Sequence, residues 1–353
     1  YKNKKVLITG NTGFKGSWLS AWLIGLGADV YGISKDIPTK PSMFEVLNLE
    51  KKITHFIEDV RNYESIKKII KNIKPDFLFH MAAQPIVVTS YKDPVDTIST
   101  NVMGTTNILE ALREVNHKCT AVIITSDKCY DNIEWIWGYK ETDALGGRDI
   151  YSGSKGAAEI IFKSYFHSYF KNINKSNVRV VTARAGNVIG GGDWKKNRII
   201  PDILKSIIQN KTLYLRHPNS VRPWLHVLDC LNGYLIAAEY SFKGIITFNS
   251  WNFAPNLTNQ ITVYELVKIF LVRFKKKNKI KILKKNKFYE SNKLNLGAKK
   301  AKLELKWKTI LNQKKTVDFI FEWYNNYLNR VNMKNFSIQQ IKKFYKMAKI
   351  KNI

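Results

Sequence analysis

The segment "VLITGNTGFKG", residues 6–16, joins an apolar run to three glycines. Val6–Thr9 reads as a short buried strand. Gly10, Gly13 and Gly16 follow at intervals of three, and Trp18, Leu19, Trp22 and Leu23 then recur at helical spacing. A strand, a glycine turn and a helix in this order open a dinucleotide-binding βαβ unit. The first glycine permits the tight turn, the second lets backbone approach a pyrophosphate, and the third lets helix pack on strand. The helix start offers unpaired N–H groups and the positive end of its dipole to phosphate. Asp36 stands twenty positions past Gly16. A carboxylate there suits ribose hydroxyls and repels a 2′-phosphate, so the expected cofactor is NAD and not NADP.

The chain beyond keeps the same rhythm. Strands are predicted over Asp29–Ser34, Ile53–Ile57, Asp76–Met81 and Ala121–Ile124, with helices over Tyr63–Ile73 and Asp93–Val115. This alternation predicts an α/β fold, a Rossmann-type doubly wound parallel sheet. After about residue 185 the elements shorten, glycines cluster at Gly190–Gly192, Val263–Phe274 reads as an amphipathic helix, and the tail from Leu303 is helical by pattern. We expect residues 1–185 to form the dinucleotide-binding domain, with elements returning to it from about 222–255. Residues 186–353 are expected to form mainly a smaller α/β substrate-binding domain.

Composition narrows the class. The chain has 353 residues, 44% of them hydrophobic, which suits a folded protein with a large core. Cys119, Cys129 and Cys230 are scattered, with neither metal-site spacing nor a disulfide framework, so no metal and a cytoplasmic location are expected. No apolar stretch is long enough to span a bilayer, no signal-peptide pattern is visible, and Tyr1 is not an initiator methionine. The formal net charge of +30 invites a nucleic-acid reading. Yet the lysines are spread along the whole chain beside Asn and Ile, and the densest block, 274–287, has little aromatic interleaving. Neither nucleic acid nor membrane is expected as a partner.

Two further stretches carry chemistry. "TSDKCY", residues 125–130, follows the fifth strand, so Ser126, Asp127 and Lys128 fall at its carboxyl end, where open α/β sheets bind ligands. "YSGSK" sets Tyr151 and Lys155 four apart on one helix face. An ammonium beside a phenol favours the phenolate, which can take a proton from a sugar hydroxyl as hydride leaves its carbon. The spacing alone is uninformative, because Tyr31, Tyr63 and Tyr264, among others, also have lysine four residues on. Position singles out Tyr151, at the start of the helix after the fifth strand.

The glycine loop, "HMAAQP" (80–85), "STNVMGT" (99–105), "TSDKCY", "YSGSK" and "RAGNVIGGGDW" (184–194) together resemble the extended short-chain dehydrogenase/reductase family acting on nucleotide sugars. Within it, "EWIWGY", "NRIIPDIL" and "VRPWLHVLD" resemble the 4,6-dehydratases of cytidylyl sugars. The resemblance implies a dehydration without net redox change. Hydride leaves sugar C4 for NAD, the C5 proton and the 6-hydroxyl are lost, and hydride returns to C6. Tyr151 would act as base on the 4-hydroxyl, with Lys155 tuning it and holding the nicotinamide ribose. Ser126 would hydrogen-bond the 4-oxygen, and Asp127 would protonate the departing 6-hydroxyl. Sister enzymes carry glutamate where this chain has Lys128, so Lys128 is expected to take the C5 proton as a neutral amine. Cofactor contacts are expected from Gly10, Gly13, Phe14, Lys15, Gly16, Asp36, Asp59, Val60, Ala82, Ala83, Gln84, Asn101, Tyr151 and Lys155. Gln84, Asn187, Arg198 and Arg222 are expected to hold the nucleotide sugar, and the family implies a homodimer or homotetramer.

Two places depart from that pattern. Val88 stands where the cytidylyl branch leads one to expect arginine, and "FYESNKLNL" (288–296) differs from the segment expected there. Three rival readings stay open at this point. One is a 4,6-dehydratase of another nucleotide sugar, of the UDP-N-acetylglucosamine type. Another is a nucleotide-sugar 4-epimerase, which expels no water and needs no acid at Asp127. The last is a catalytically silent NAD-sensing or nucleic-acid-binding protein.

Overall fold

The computed structural model describes residues 1–172, 175–246, 250–256, 261–283 and 293–351. β1 (Lys5–Thr9) leads through α1 (Phe14–Gly25) to β2 (Asp29–Ser34), and past the one-turn α2 (Met43–Val46) to β3 (Thr54–Ile57). α3 (Tyr63–Ile73) precedes β4 (Phe77–His80), and α4 (Val87–Lys92), α5 (Pro94–Ile98) and α6 (Gly104–Arg113) separate it from β5 (Cys119–Ile124). α7 (Ile150–Tyr165) comes before β6 (Val178–Ala185) and the short β7 (Val188–Ile189). Then follow α8 (Ile199–Gln209), β8 (Leu213–Leu215), β9 (Leu225–His226), α9 (Val227–Phe242) and β10 (Ser250–Phe253). α10 (Val263–Arg273), β11 (Ile280–Ile282), α11 (Lys299–Glu304), α12 (Gln313–Leu328) and α13 (Met333–Lys351) complete the order.

Seven strands form one parallel sheet in the order β10-β6-β5-β4-β1-β2-β3. The order reverses between β1 and β4, paired with Thr9 beside His80. Loops leaving those two strand ends turn to opposite faces and open a crevice, the usual ligand site of such sheets. All six β5 residues are buried, as a central strand covered on both faces requires. One face packs Trp18, Leu19 and Leu23 of α1 with Leu228, Leu231 and Leu235 of α9. The opposite face packs Ile66 and Ile70 of α3, Ile108 and Leu112 of α6 and Phe162 of α7. This is the Rossmann-type doubly wound architecture expected. Two small parallel pairs, β8 with β11 and β7 with β9, lie outside the main sheet.

Several boundaries shift for physical reasons. The first helix begins at Phe14, ahead of Ser17, because Gly13 serves as its N-cap. The predicted helix over Asp93–Val115 is α5 and α6 joined by a π-helical turn, Ser99–Met103. The glycines at 190–192 make room for aromatic rings: a Cβ on Gly191 would fall 2.2 Å from Trp323. The Gly191 carbonyl accepts from Trp18 Nε1 at 2.8 Å. The last helix returns to the first, with the Phe344 ring 5.6 Å from that of Trp22. Among the described residues no helix is long and apolar enough to cross a membrane.

Candidate active site

A single cleft runs over the carboxyl ends of the strands, from the glycine loop past Ser126 and Tyr151 to Arg222 and Tyr214. At one end the glycine loop is a tight backbone cradle. A Cβ on Gly16 would lie 2.2 Å from the Gly10 carbonyl oxygen, and one on Gly10 2.8 Å from Ala82 N. Gly10 also holds φ +74°, a left-handed conformation that other residues adopt at a cost. The Gly13 N-cap carries no side chain to satisfy the first N–H groups of α1, which face the cleft as anion donors. Asp36, Asp59 and Val60 line the same half of the cleft. Asp36 is exposed, and its carbonyl accepts from Thr12 Oγ1 at 2.7 Å. Burial works against the Asp59 charge, but hydrogen bonds from Arg61, 2.6 Å away, hold its carboxyl below the usual range. Free backbone donors, glycine clearance and carboxylates near the ribose position together fit a dinucleotide.

In the middle of the cleft lie the groups from β5 and α7. Asp149 caps α7, accepting from Ser152 N at 3.0 Å, and so sets the helix start that presents Tyr151 and Lys155. Both are buried, Tyr151 at 8% and Lys155 at 6% exposure. Burial raises the Tyr151 phenol to about 12, against the expectation that Lys155 would lower it; a Ser126 hydrogen bond and the Arg198 charge oppose the rise. Burial and the like charge of Lys15 bring Lys155 down to about 8. Ser126 Oγ donates to Asp127 Oδ1 at 2.8 Å and accepts from Lys128 N at 3.2 Å. Burial pushes the Asp127 carboxyl up; the Lys128 charge and the Ser126 hydrogen bond pull it back only in part. Asp127 Oδ2 is buried with no hydrogen-bond partner among the described residues. It lies beside Gly186, where a Cβ would approach it to 3.3 Å. Lys128 is half-buried and lines the cleft.

The remaining expected residues divide by role. Asn101 sits in the π-helical turn and is fully engaged. Its Oδ1 accepts from Gln84 N at 2.8 Å, and its Nδ2 donates to Ser154 Oγ at 2.9 Å. Ser154 Oγ donates in turn to the Tyr151 carbonyl at 2.7 Å. Asn101 therefore ties the "HMAAQP" loop to α7. Gln84 lines the cleft, but its amide braces that loop, donating to Thr97 Oγ1 at 2.9 Å and accepting from Ile86 N at 2.7 Å. Phe14, Lys15, Ala82, Ala83 and Asn187 all face the cleft. Arg198 pairs with Asp193 at 3.1 Å, and Arg222 is 5% exposed. Val88 lines the cleft where arginine is expected, and of "FYESNKLNL" residues 288–292 lie outside the described residues.

Sequence reading missed a second layer behind these groups. Glu159, four past Lys155, is buried with Arg184 of β6 at 2.7 Å. It also accepts from Thr125 Oγ1, and from Thr182 Oγ1 at 3.1 Å. Arg184 reaches Tyr130 Oη at 2.8 Å, and Tyr130 donates to Asn252 at 2.7 Å. The signal was available: Tyr151, Lys155 and Glu159 repeat at intervals of four, one helix stripe. Asp202 and Arg216 also line the cleft and were not singled out.

A doubly wound sheet with a glycine-loop cradle and a buried Tyr–Lys pair on the helix that follows its fifth strand defines an extended short-chain dehydrogenase/reductase. Residues 7–319 match the GDP-mannose 4,6 dehydratase family, and the chain belongs to it. It is 41% identical over 336 residues to the CDP-glucose 4,6-dehydratase of Salmonella typhimurium, covering 94% of each chain. It is 30% identical over 288 residues to a UDP-glucose 4-epimerase of Rickettsia bellii, covering 80% of this chain and 74% of that one. Among solved structures, the dTDP-glucose 4,6-dehydratase of Streptomyces venezuelae superposes with a TM-score of 0.79 at 19% identity, over 93% of this chain and 98% of that one.

Proposed function

We propose that the protein catalyses the NAD-dependent 4,6-dehydration of a nucleotide hexose, CDP-D-glucose, to CDP-4-dehydro-6-deoxy-D-glucose. One observation carries this reading: Asp127 is buried at the end of β5, its carboxyl raised by that burial, with one oxygen that has no hydrogen-bond partner among the described residues, beside Tyr151 and Lys128. A carboxyl raised by burial suits a group that must give up a proton where water leaves, a role an epimerase does not need. The 41% identity to a CDP-glucose 4,6-dehydratase supports the choice of substrate.

The backbone of Gly10–Gly16 with Asp36, Asp59 and Val60 would hold NAD, and Lys155 its nicotinamide ribose. The chemistry NAD supplies when bound is reversible hydride acceptance, from C4 at first and back to C6 at the end. Tyr151, acting as the phenolate that burial opposes in the chain alone, removes the proton of the sugar 4-hydroxyl, while Ser126 turns its one O–H from Asp127 to that oxygen. The resulting C4 carbonyl acidifies the C5 proton, which Lys128 accepts. Asp127 gives its proton to the 6-hydroxyl, which departs as water as the C5–C6 double bond forms, and Lys128 returns its proton to C5 when hydride is restored at C6. Arg198 and Arg222 hold the diphosphate, where the guanidinium fork fits the oxygens. The same reading extends to a homodimer or homotetramer and to a cytoplasmic enzyme.

The test offers CDP-glucose and its UDP, GDP and dTDP counterparts to the purified protein without added cofactor, with products read by NMR. The expected product is the 4-keto-6-deoxy sugar from CDP-glucose. A C4 epimer in its place would overturn the dehydratase reading.

A further inference from the structure

Besides Arg198 and Arg222, the cleft is lined by a further group of polar side chains, Asp202, Tyr214 and Arg216. Arg198 is the N-cap of α8, and Asp202 follows four residues later, one turn farther along the same face. Arg216 directly follows β8, the strand of Leu213–Leu215. The Asp202 and Arg216 charges act on one another: burial pushes the Asp202 carboxyl up, and the Arg216 guanidinium pulls it back. The Asn197 N–H also donates to that carboxylate. A carboxylate has acceptor sites for more than one such donor. Tyr214 is flanked on its strand by buried Leu213 and Leu215, and is itself 55% exposed.

Resting on the nucleotide-sugar reading above, we propose that Asp202 and Arg216 read the base of the substrate and select cytosine over uracil. The roles proposed above, with Asp202 one helical turn past Arg198, supply the location. The sugar is worked on at Ser126, Tyr151 and Lys128, the diphosphate lies at Arg198 and Arg222, and the base must lie farther out. Cytosine presents an amino donor at N4 beside acceptors at N3 and O2. A carboxylate accepts from N4, as it does when proteins read cytosine in nucleic acid. A guanidinium donates to N3 and O2. Uracil reverses two of the three positions, setting its O4 against the carboxylate and its N3–H against the guanidinium. A site built to hydrogen-bond one edge rejects the other, because its own polar groups are left unpaired. Tyr214 offers an aromatic face to the ring.

The test measures binding of CDP and UDP by calorimetry, with kcat/KM for CDP-glucose and UDP-glucose, in the wild type, Asp202→Asn and Arg216→Gln. The wild type is expected to prefer the cytidylyl ligand by about 100-fold, the scale of one well-made charged pair. Asp202→Asn is expected to cut that preference to about fivefold or less, since an amide can turn its donor to O4. Arg216→Gln is expected to move it in the same direction. A wild type that binds CDP and UDP equally overturns the proposal. So does a preference that survives both substitutions, or an equal loss of both ligands. A wild type that prefers CDP without dehydrating CDP-glucose would overturn the proposed function while supporting the base reader.

Discussion

At the scale of single residues, the site depends on which groups hold a proton. Lys128 stands where a carboxylate would be the familiar base, and as a base it must act as a neutral amine. After taking the C5 proton it becomes an ammonium, which stabilises the developing enolate better than a neutral carboxylic acid would. Lys128→Ala should retain hydride transfer, seen as reduced-nicotinamide absorbance after substrate is mixed in. Deuterium exchange at C5 in D2O should fall by at least about 100-fold, the usual scale of a lost general base. Exchange near the wild-type rate would assign the base elsewhere. Lys155 gives a pH prediction of definite sign. Its native value of about 8 lies below the 10.5 of an ordinary lysine, chiefly through burial. Between those values the unfolded chain binds the proton that native Lys155 has lost, so stability rises with pH across the window. Below about 8 both states hold the proton and the full cost of the buried charge remains. Lys155→Met should therefore be more stable than wild type at pH 7, by on the order of 1–3 kcal/mol. That gap should close towards pH 10. Urea unfolding at the two pH values measures it, and a gap that is the same at both removes the argument.

At the scale of elements, α7 does more than present a tyrosine and a lysine. Its Glu159 end is pinned to β6 through Arg184, and its Ser154 side to the π-helical turn through Asn101. Removing one partner of a buried ion pair leaves an uncompensated charge, so this anchor fixes one packing of the helix on the sheet. Part of this was legible in the sequence and part was not. The bounds of α3, Tyr63–Ile73, follow from the apolar period alone, because Ile66, Ile70 and Ile73 all face the core. The π-helical turn left no trace in the apolar period, since one widened turn shifts a stripe too little to break it. The motif implies a ligand contact at Gln84, and Gln84 lines the cleft; that its amide also braces the loop through Thr97 and Ile86 is a fact of rotamer and not of pattern. Asp202 and Arg216 stand fourteen residues apart on a helix and a strand end, and only the folded chain sets them around one end of a cleft.

At the scale of the whole molecule, charge and apolar surface oppose one another. α5 and α6 both pack on α7, and this side of the protein leaves Val95, Ile98, Met103 and Ile160 exposed, Val95 to 74%. Exposed apolar side chains gathered on neighbouring helices are the mark of a face that pairs, and a second copy of the chain is the partner we expect. Each copy carries +30, so two copies repel at a distance while their apolar faces attract on contact. The attraction is insensitive to simple salt at moderate concentration, whereas the repulsion is screened over about 10 Å at 0.1 M. Self-association should therefore tighten as salt rises from about 50 to 300 mM, the opposite of what a salt-bridged interface would do. Ile160→Arg and Val95→Arg place new positive charge within the apolar face and should each weaken the dimer by at least tenfold. Both positions are exposed in the single chain, so the fold should be unaffected, with the circular dichroism spectrum kept as the check. Sedimentation equilibrium across the salt series is the measurement. A wild type that is monomeric at micromolar concentration and high salt would mean that this face serves no second copy. A dimer that weakens with salt would mean that ionic contacts hold the copies together.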